Sequence, residues 1–163
     1  MKTGGEKSRV ERLKEIYRLQ EHPEGGWFTE QFTSSFEKEG RSLAGSIYFL
    51  LDAGEISHFH QIDCDEIWYF HEGCGLAVTV LDEHGAERLL LGNDFEKGQR
   101  PMAEIPSGAI FAAECLEREG YCFVSCATAP KFDYRGFRLV GRGEIRARCP
   151  ELGEEALRLA WGD

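Results

Sequence analysis

His58-Phe59-His60, with Glu66 six residues on and Gly73 seven beyond that, is the stretch that decides how this chain reads. Alternate residues of a strand share a face, with Cα atoms roughly 6.5 Å apart. The two imidazoles can therefore point into one pocket, and Glu66 can join them from the next strand after a turn at Asp63-Cys64-Asp65. Imidazole and carboxylate are ligands of divalent metals, and they also carry protons near neutral pH. The plainer alternative is a pair of histidines hydrogen-bonded on a barrel wall.

On both sides of that stretch the hydrophobic pattern has a period of two. Residues 27–34, 44–51, 55–60, 66–71, 75–82, 86–91, 102–105, 109–114 and 121–128 read as short strands rich in β-branched and aromatic side chains. Turn signals separate them, among them Asp52-Ala53-Gly54, His71-Glu72-Gly73, Asp82-Glu83-His84-Gly85 and Pro106-Ser107-Gly108. Many short strands at near-regular spacing predict an all-β sandwich or barrel. A helix is expected over about residues 8–20, opened by the capping box Ser8-x-x-Glu11 and ended near His22-Pro23. A closing helix is expected from about Pro150 to Trp161. One domain spanning 1–163 is expected, with the barrel core at about 26–141.

Formal charge is −10 over 163 residues, which argues against nucleic acid or an anionic membrane as partner. No apolar stretch follows Met1-Lys2-Thr3-Gly4-Gly5, and no run approaches the length of a membrane span. The six cysteines are scattered without C-x-x-C spacing and read as free thiols, which suits a reducing, cytoplasmic setting.

Within the expected strand after the histidines, Glu66, Trp68 and Phe70 share one face. Trp68 beside Glu66 supplies a low-dielectric wall, which raises a carboxyl pKa unless a cation sits close. Trp68 reads equally well as a plain core aromatic. His22-Pro23-Glu24-Gly25-Gly26-Trp27-Phe28 combines a rigid turn with two potential ligand groups, His22 and Glu24. As a bare motif it also fits a helix-to-strand connector.

Taken together these motifs resemble a cupin, an antiparallel jelly-roll barrel (double-stranded β-helix). The first cupin motif maps onto Gly54, His58, His60, Glu66 and Gly73, with a shorter Gly-to-His gap and a longer His-to-Glu gap than the general pattern. The second maps onto Gly98, Pro106 and Gly108, with Phe111 where a histidine would stand. A closer resemblance is to the cupin-5 subfamily, whose defining domain has no assigned function. It is carried by His22 to Gly26, Ile47 to Leu51, Ser57 to His60, Asp65 to Trp68, Pro106 to Gly108 and Ala129-Pro130-Lys131-Phe132-Asp133. The resemblance implies a deoxysugar-epimerase-like barrel, paired as a homodimer, with a ligand pocket in the barrel mouth.

Three functions are consistent with these residues. In a metal-independent isomerase or epimerase, His60 is the general base and Glu66 orients it or acts as acid. In a metalloenzyme, His58, His60 and Glu66 hold one Fe, Mn, Ni or Zn ion. In a non-catalytic module the pocket only binds or senses a small polar metabolite. His22, Glu24, Gly26, Ser57, His58, Trp68 and Phe111 are the expected ligand-binding residues.

Overall fold

The computed structural model describes residues 7–162, so the Met1–Gly5 segment read above lies outside the described residues. In chain order the elements are α1 (Arg9–Ile16), β1 (Gln20–Glu21), β2 (Trp27–Thr33), β3 (Glu37–Lys38), β4 (Arg41–Ser42) and β5 (Gly45–Leu51). There follow β6 (Ile56–Gln61), β7 (Asp65–Gly73), β8 (Leu76–Asp82), β9 (Gly85–Leu91), β10 (Met102–Ile105), β11 (Ile110–Cys115) and β12 (Cys122–Ala129). The chain closes with β13 (Arg138–Leu139), α2 (Arg142–Arg148) and α3 (Glu154–Leu157).

The strands form an antiparallel jelly roll. One sheet has the order β1-β2-β5-β12-β7-β10, the other β13-β6-β11-β8-β9, and β3 pairs with β4 as a separate hairpin. Both sheets are covered on two faces, and the alternation of each strand shows how. Phe49 and Leu51 of β5 face the core between the sheets, while Leu50 faces outward onto α1. In β12, Cys122, Val124 and Cys126 point in and Phe123 points out. In β11, Phe111 and Ala113 point in, whereas Ile110 and Ala112 pack against the C-terminal helices through Ile145 and Leu157. Full burial of each Val, Leu, Ile or Phe among them contributes about 1.5–3 kcal/mol of transfer free energy.

Helix α1 carries the full capping box: the Glu11 amide donates to Ser8 Oγ at 3.2 Å and the Ser8 amide to Glu11 Oε2 at 2.7 Å. It stops four residues short of the expected end. Arg18 turns left-handed (φ 54°) and the Leu19 amide donates back to the Lys14 carbonyl, so a Schellman-type cap rather than Pro23 ends the helix. The expected closing helix is reduced to the single turn α3, and an unexpected helix, α2, precedes it. Cys149 precedes Pro150 and is held at φ −139°, which ends α2 there, and Gly153 caps α3.

Two local features set up the interior. The first is a β-bulge in β6. His60 stands opposite Phe111 and Ser57 opposite Ala113, so His58 and Phe59 together oppose the single residue Ala112. The extra residue resets the alternation: Phe59 packs outward among Leu81 and Ile145, and His60 turns inward against the Phe111 ring. The second is the turn at 22–26, closed by bonds from the Gly25 amide to the His22 carbonyl and from the His22 amide to the Gly26 carbonyl. The His58 amide donates to the Glu24 carbonyl at 2.8 Å, which ties this turn to the bulge.

Gly25 has φ +106°, and a Cβ there would stand 1.9 Å from the Ile56 carbonyl oxygen. Gly25→Ala should therefore cost upwards of about 3 kcal/mol, from backbone strain and a clash that only main-chain movement relieves. Gly143→Ala is the control: it lies inside α2 with open space around it and should gain about 0.5–1 kcal/mol. Urea unfolding of the two variants checks this, and a Gly25→Ala protein as stable as wild type would contradict the turn geometry.

Candidate functional site

Between the sheets, beneath the 22–26 turn, lies a cavity of about 350 Å³. His22 and Glu24 reach it from the turn, Phe28 from β2, Phe49 from β5, His60 from β6, Glu66 from β7, and Cys126 and Thr128 from β12. Lys131, Phe132, Asp133 and Tyr134 of the following segment complete the wall.

His60 is the centre of the polar floor. Its Nδ1 is 2.6 Å from the His58 carbonyl oxygen, and because a carbonyl only accepts, Nδ1 carries hydrogen. Its Nε2 is 2.8 Å from Glu24 Oε2. Burial alone would lower the His60 pKa, but the Glu24 charge and hydrogen bond outweigh it and the net shift is upward. For Glu24, burial pushes the pKa up and His60 more than reverses this, so the net shift is downward. Both partners therefore place the proton on His60, giving an imidazolium–carboxylate pair sealed from solvent. The Ser57 hydroxyl lies close enough to Glu24 to favour its charged form, although no hydrogen bond of normal geometry joins them.

His22 behaves differently. Its Nδ1 accepts a hydrogen bond from the Glu24 amide at 3.2 Å, so the ring hydrogen sits on Nε2. Burial lowers its pKa despite Glu24 nearby, and the ring is neutral. The 3.9 Å approach of Nδ1 to the Glu24 carboxylate is therefore not an ion pair. Around His22 stand the rings of Phe28 (4.7 Å between centroids), Phe137 (6.1 Å), Phe132 (6.3 Å) and Tyr134 (6.4 Å).

Glu66 is 8% exposed, its carboxyl opening onto the cavity. Burial first, and the Glu24 charge second, raise its pKa to about 7. Cys126 and Trp68 slightly favour its charged form, although the Trp68 indole N–H makes no hydrogen bond of normal geometry. The remaining charges around the cavity are neutralised in pairs: Glu24 with His60, Glu30 with Lys131, Asp133 with Arg135. Glu66 takes part in no ion pair among the described residues.

Of the residues singled out from sequence, His22, Glu24, His60 and Glu66 meet in this cavity. His58 does not. The bulge turns its ring toward Trp161 (5.3 Å between centroids), in a separate cleft that also includes Gly26. The expectation that alternation would aim both imidazoles into one pocket is corrected by that extra residue. Ser57, Trp68 and Phe111 are wholly buried behind the cavity wall, Phe111 with its ring 4.1 Å from that of His60. Phe28, Phe49, Thr128, Phe132 and Tyr134 were not anticipated as lining residues. Of these, Phe132 lies in the Ala129-Pro130-Lys131-Phe132-Asp133 stretch, the one signal in the sequence that marks this wall.

His58, His60 and Glu66 do not fit a shared metal ion. His58 faces the other cleft, and Nε2 of His60 is taken up by Glu24. Among the described residues no group of three His, Cys, Asp or Glu side chains stands close enough to hold one.

Two solved structures match nearly the whole fold. Protein SO0799 from Shewanella oneidensis is 31% identical, with a TM-score of 0.89 over 96% of this chain and 100% of that one. A hypothetical protein from Leishmania major is 29% identical, with a TM-score of 0.83 over 95% and 100%. A variant of Bacillus subtilis oxalate decarboxylase is 20% identical, with a TM-score of 0.57 over 88% of this chain and 37% of that one, which is a likeness of fold alone. No curated protein matches the chain significantly. The family model described as Cupin superfamily (DUF985) matches residues 11–140, and the chain belongs to that family.

Proposed function

We propose that the protein binds a small polar metabolite in the barrel cavity and carries out isomerase-type proton transfer on it, with Glu66 as the group that takes and returns the proton. The observation that supports this reading most is the state of Glu66: a buried carboxyl facing the cavity, without an ion-pair partner, with its pKa raised to about 7 by burial and by Glu24. A general base works best when its pKa lies near the working pH. His60 is less suited to the role that the sequence reading gave it, because both of its ring nitrogens are already engaged.

In this scheme Glu24 and His60 act as a fixed pair. Burial first, and the Glu24 charge second, hold Glu66 near its midpoint, and the His60 imidazolium keeps Glu24 ionised. The His22 Nε2–H and the Thr128 hydroxyl are available to hold a ligand oxygen. An ionised Glu66 removes a proton from a hydroxyl-bearing carbon beside the ligand carbonyl, and the electron pair shifts onto the carbonyl oxygen as an enediolate. Glu66 then returns a proton to the former carbonyl carbon while the hydroxyl proton passes to the enediolate oxygen, which moves the carbonyl by one carbon and restores the ionised base.

Screening polar metabolites by thermal shift and incubating the binders in D2O tests this reading. Wild type should place deuterium on the carbon beside the carbonyl, at a rate that rises with pH through about 7 as Glu66 ionises. Glu66→Gln should bind the same compound and exchange it at least ~100-fold more slowly. A compound that binds and is recovered without deuterium would favour the binding-module reading over the enzyme.

We also propose that two copies pair through β2. Strand β1 covers only the Trp27 and Phe28 positions of that strand, leaving Thr29–Thr33 as an open hydrogen-bonding edge. A light-scattering mass near twice the 18.4 kDa of one chain is expected, and a mass of one chain would contradict it. No described helix is long and apolar enough to cross a membrane, and the six free cysteines suit a reducing compartment such as the cytoplasm.

A further inference from the structure

We infer that the ligand carries a positive charge: the cavity is built to take an amine or quaternary ammonium group between the Glu66 carboxylate and an aromatic wall of Phe28, Phe49, Phe132 and Tyr134. This rests on the reading that the cavity is the binding site, and it adds the chemical class of what binds there.

The charge balance carries the inference. Every charged group lining the cavity except Glu66 has its counterion: Glu24 has His60, Glu30 has Lys131, and Asp133 has Arg135. Ionised Glu66 is thus one uncompensated negative charge at a buried position, where Coulomb interactions are several times stronger than in water. A bound cation supplies the missing partner, and a bound anion would add a second repulsion beside Glu24. A neutral ligand leaves the charge unbalanced unless Glu66 stays protonated.

The wall fits the same chemistry. Aromatic faces carry negative potential and attract ammonium groups, most strongly where water is excluded. Phe132 and Tyr134 meet edge to face at 4.9 Å, Phe28 stands 4.7 Å from the neutral His22 ring, and Phe49 closes the cavity from β5. Tyr134 lies within the field of Glu24, so the rings and the carboxylates belong to one space.

Cation binding should be linked to proton release from Glu66. The titratable groups that face Glu66 are Glu24 from the 22–26 turn, His60 from β6, Cys126 from β12 and Cys64 from the loop before β7. Burial raises both thiols far enough to keep them neutral, and Glu24 and His60 remain a fixed pair. Glu66 is therefore the group whose ionisation changes near pH 7.

Choline and its uncharged isostere 3,3-dimethylbutan-1-ol are the probes, titrated into wild-type protein with the Ile47 and Ile62 methyl signals followed by NMR. At pH 8 choline should bind about tenfold tighter than the alcohol. That preference should shrink toward parity at pH 5.5 and in Glu66→Gln at pH 8. The pH series on wild type gives the same answer should the variant fold poorly. Equal affinity of the two probes at pH 8, or a choline preference that survives in Glu66→Gln, would overturn the inference. If the alcohol moves the cavity methyls and choline does not, the charge assignment falls while the cavity stands as a binding site. If neither probe moves them, the charge assignment also falls, and the D2O exchange experiment decides on the binding reading separately.

Discussion

One buried ion pair organises the interior of this protein. His60 donates through Nδ1 to the His58 carbonyl and through Nε2 to Glu24, with both side chains out of contact with solvent. Removing two charges from water is costly, and the cost is offset only where geometry is close and the remaining hydrogen bonds are made. Here the pair comes from two segments far apart in sequence, so the turn at 22–26 and the strand at 56–61 must both be in place for either charge to be tolerated. The consequence for chemistry falls on a third residue. Buried beside the pair and repelled by the Glu24 charge, Glu66 does not ionise at its ordinary pKa.

The backbone devices that hold this pair are small and specific. A single extra residue in β6 turns His60 inward and leaves His58 at another cleft. Gly25, with φ +106° and no space for a Cβ beside the Ile56 carbonyl, allows the turn to lie close against β6. Neither device adds much apolar burial. Their effect is positional, since they bring one carboxylate within 2.8 Å of one imidazole and leave another carboxylate without a counterion. Binding and proton transfer both draw on that imbalance.

The strands were legible because alternation is a local signal. All nine strands expected from period-two patterning occur within two residues of the expected ends, since the inward face of each sheet packs on the central core. The short strands β1, β3, β4 and β13 carry only two residues each, too few for any period to register. The end of α1 is set by a backbone cap at Arg18 that no side chain announces, and Pro150, which reads as a helix start, follows the end of α2 at Cys149 and precedes α3 by four residues. At the site, His60, Glu66 and the 22–26 turn stood out from residue type and resemblance. Their partnership did not, because His60 meets Glu24 across a separation of thirty-six residues. The bulge was invisible for a different reason: Ser57-His58-Phe59-His60 reads as regular alternation, and only the single residue Ala112 opposite it creates the offset.

The central claim is the distribution of protons among Glu24, His60 and Glu66. Heteronuclear NMR of the ligand-free protein measures it directly, following the His60 ring nitrogens and the Glu66 carboxyl carbon as pH is varied. The account predicts that His60 remains doubly protonated above its ordinary 6.5 while the Glu66 carboxyl titrates near 7. A His60 ring found neutral at pH 6, or a Glu66 carboxyl titrating near its ordinary 4.5, would contradict it.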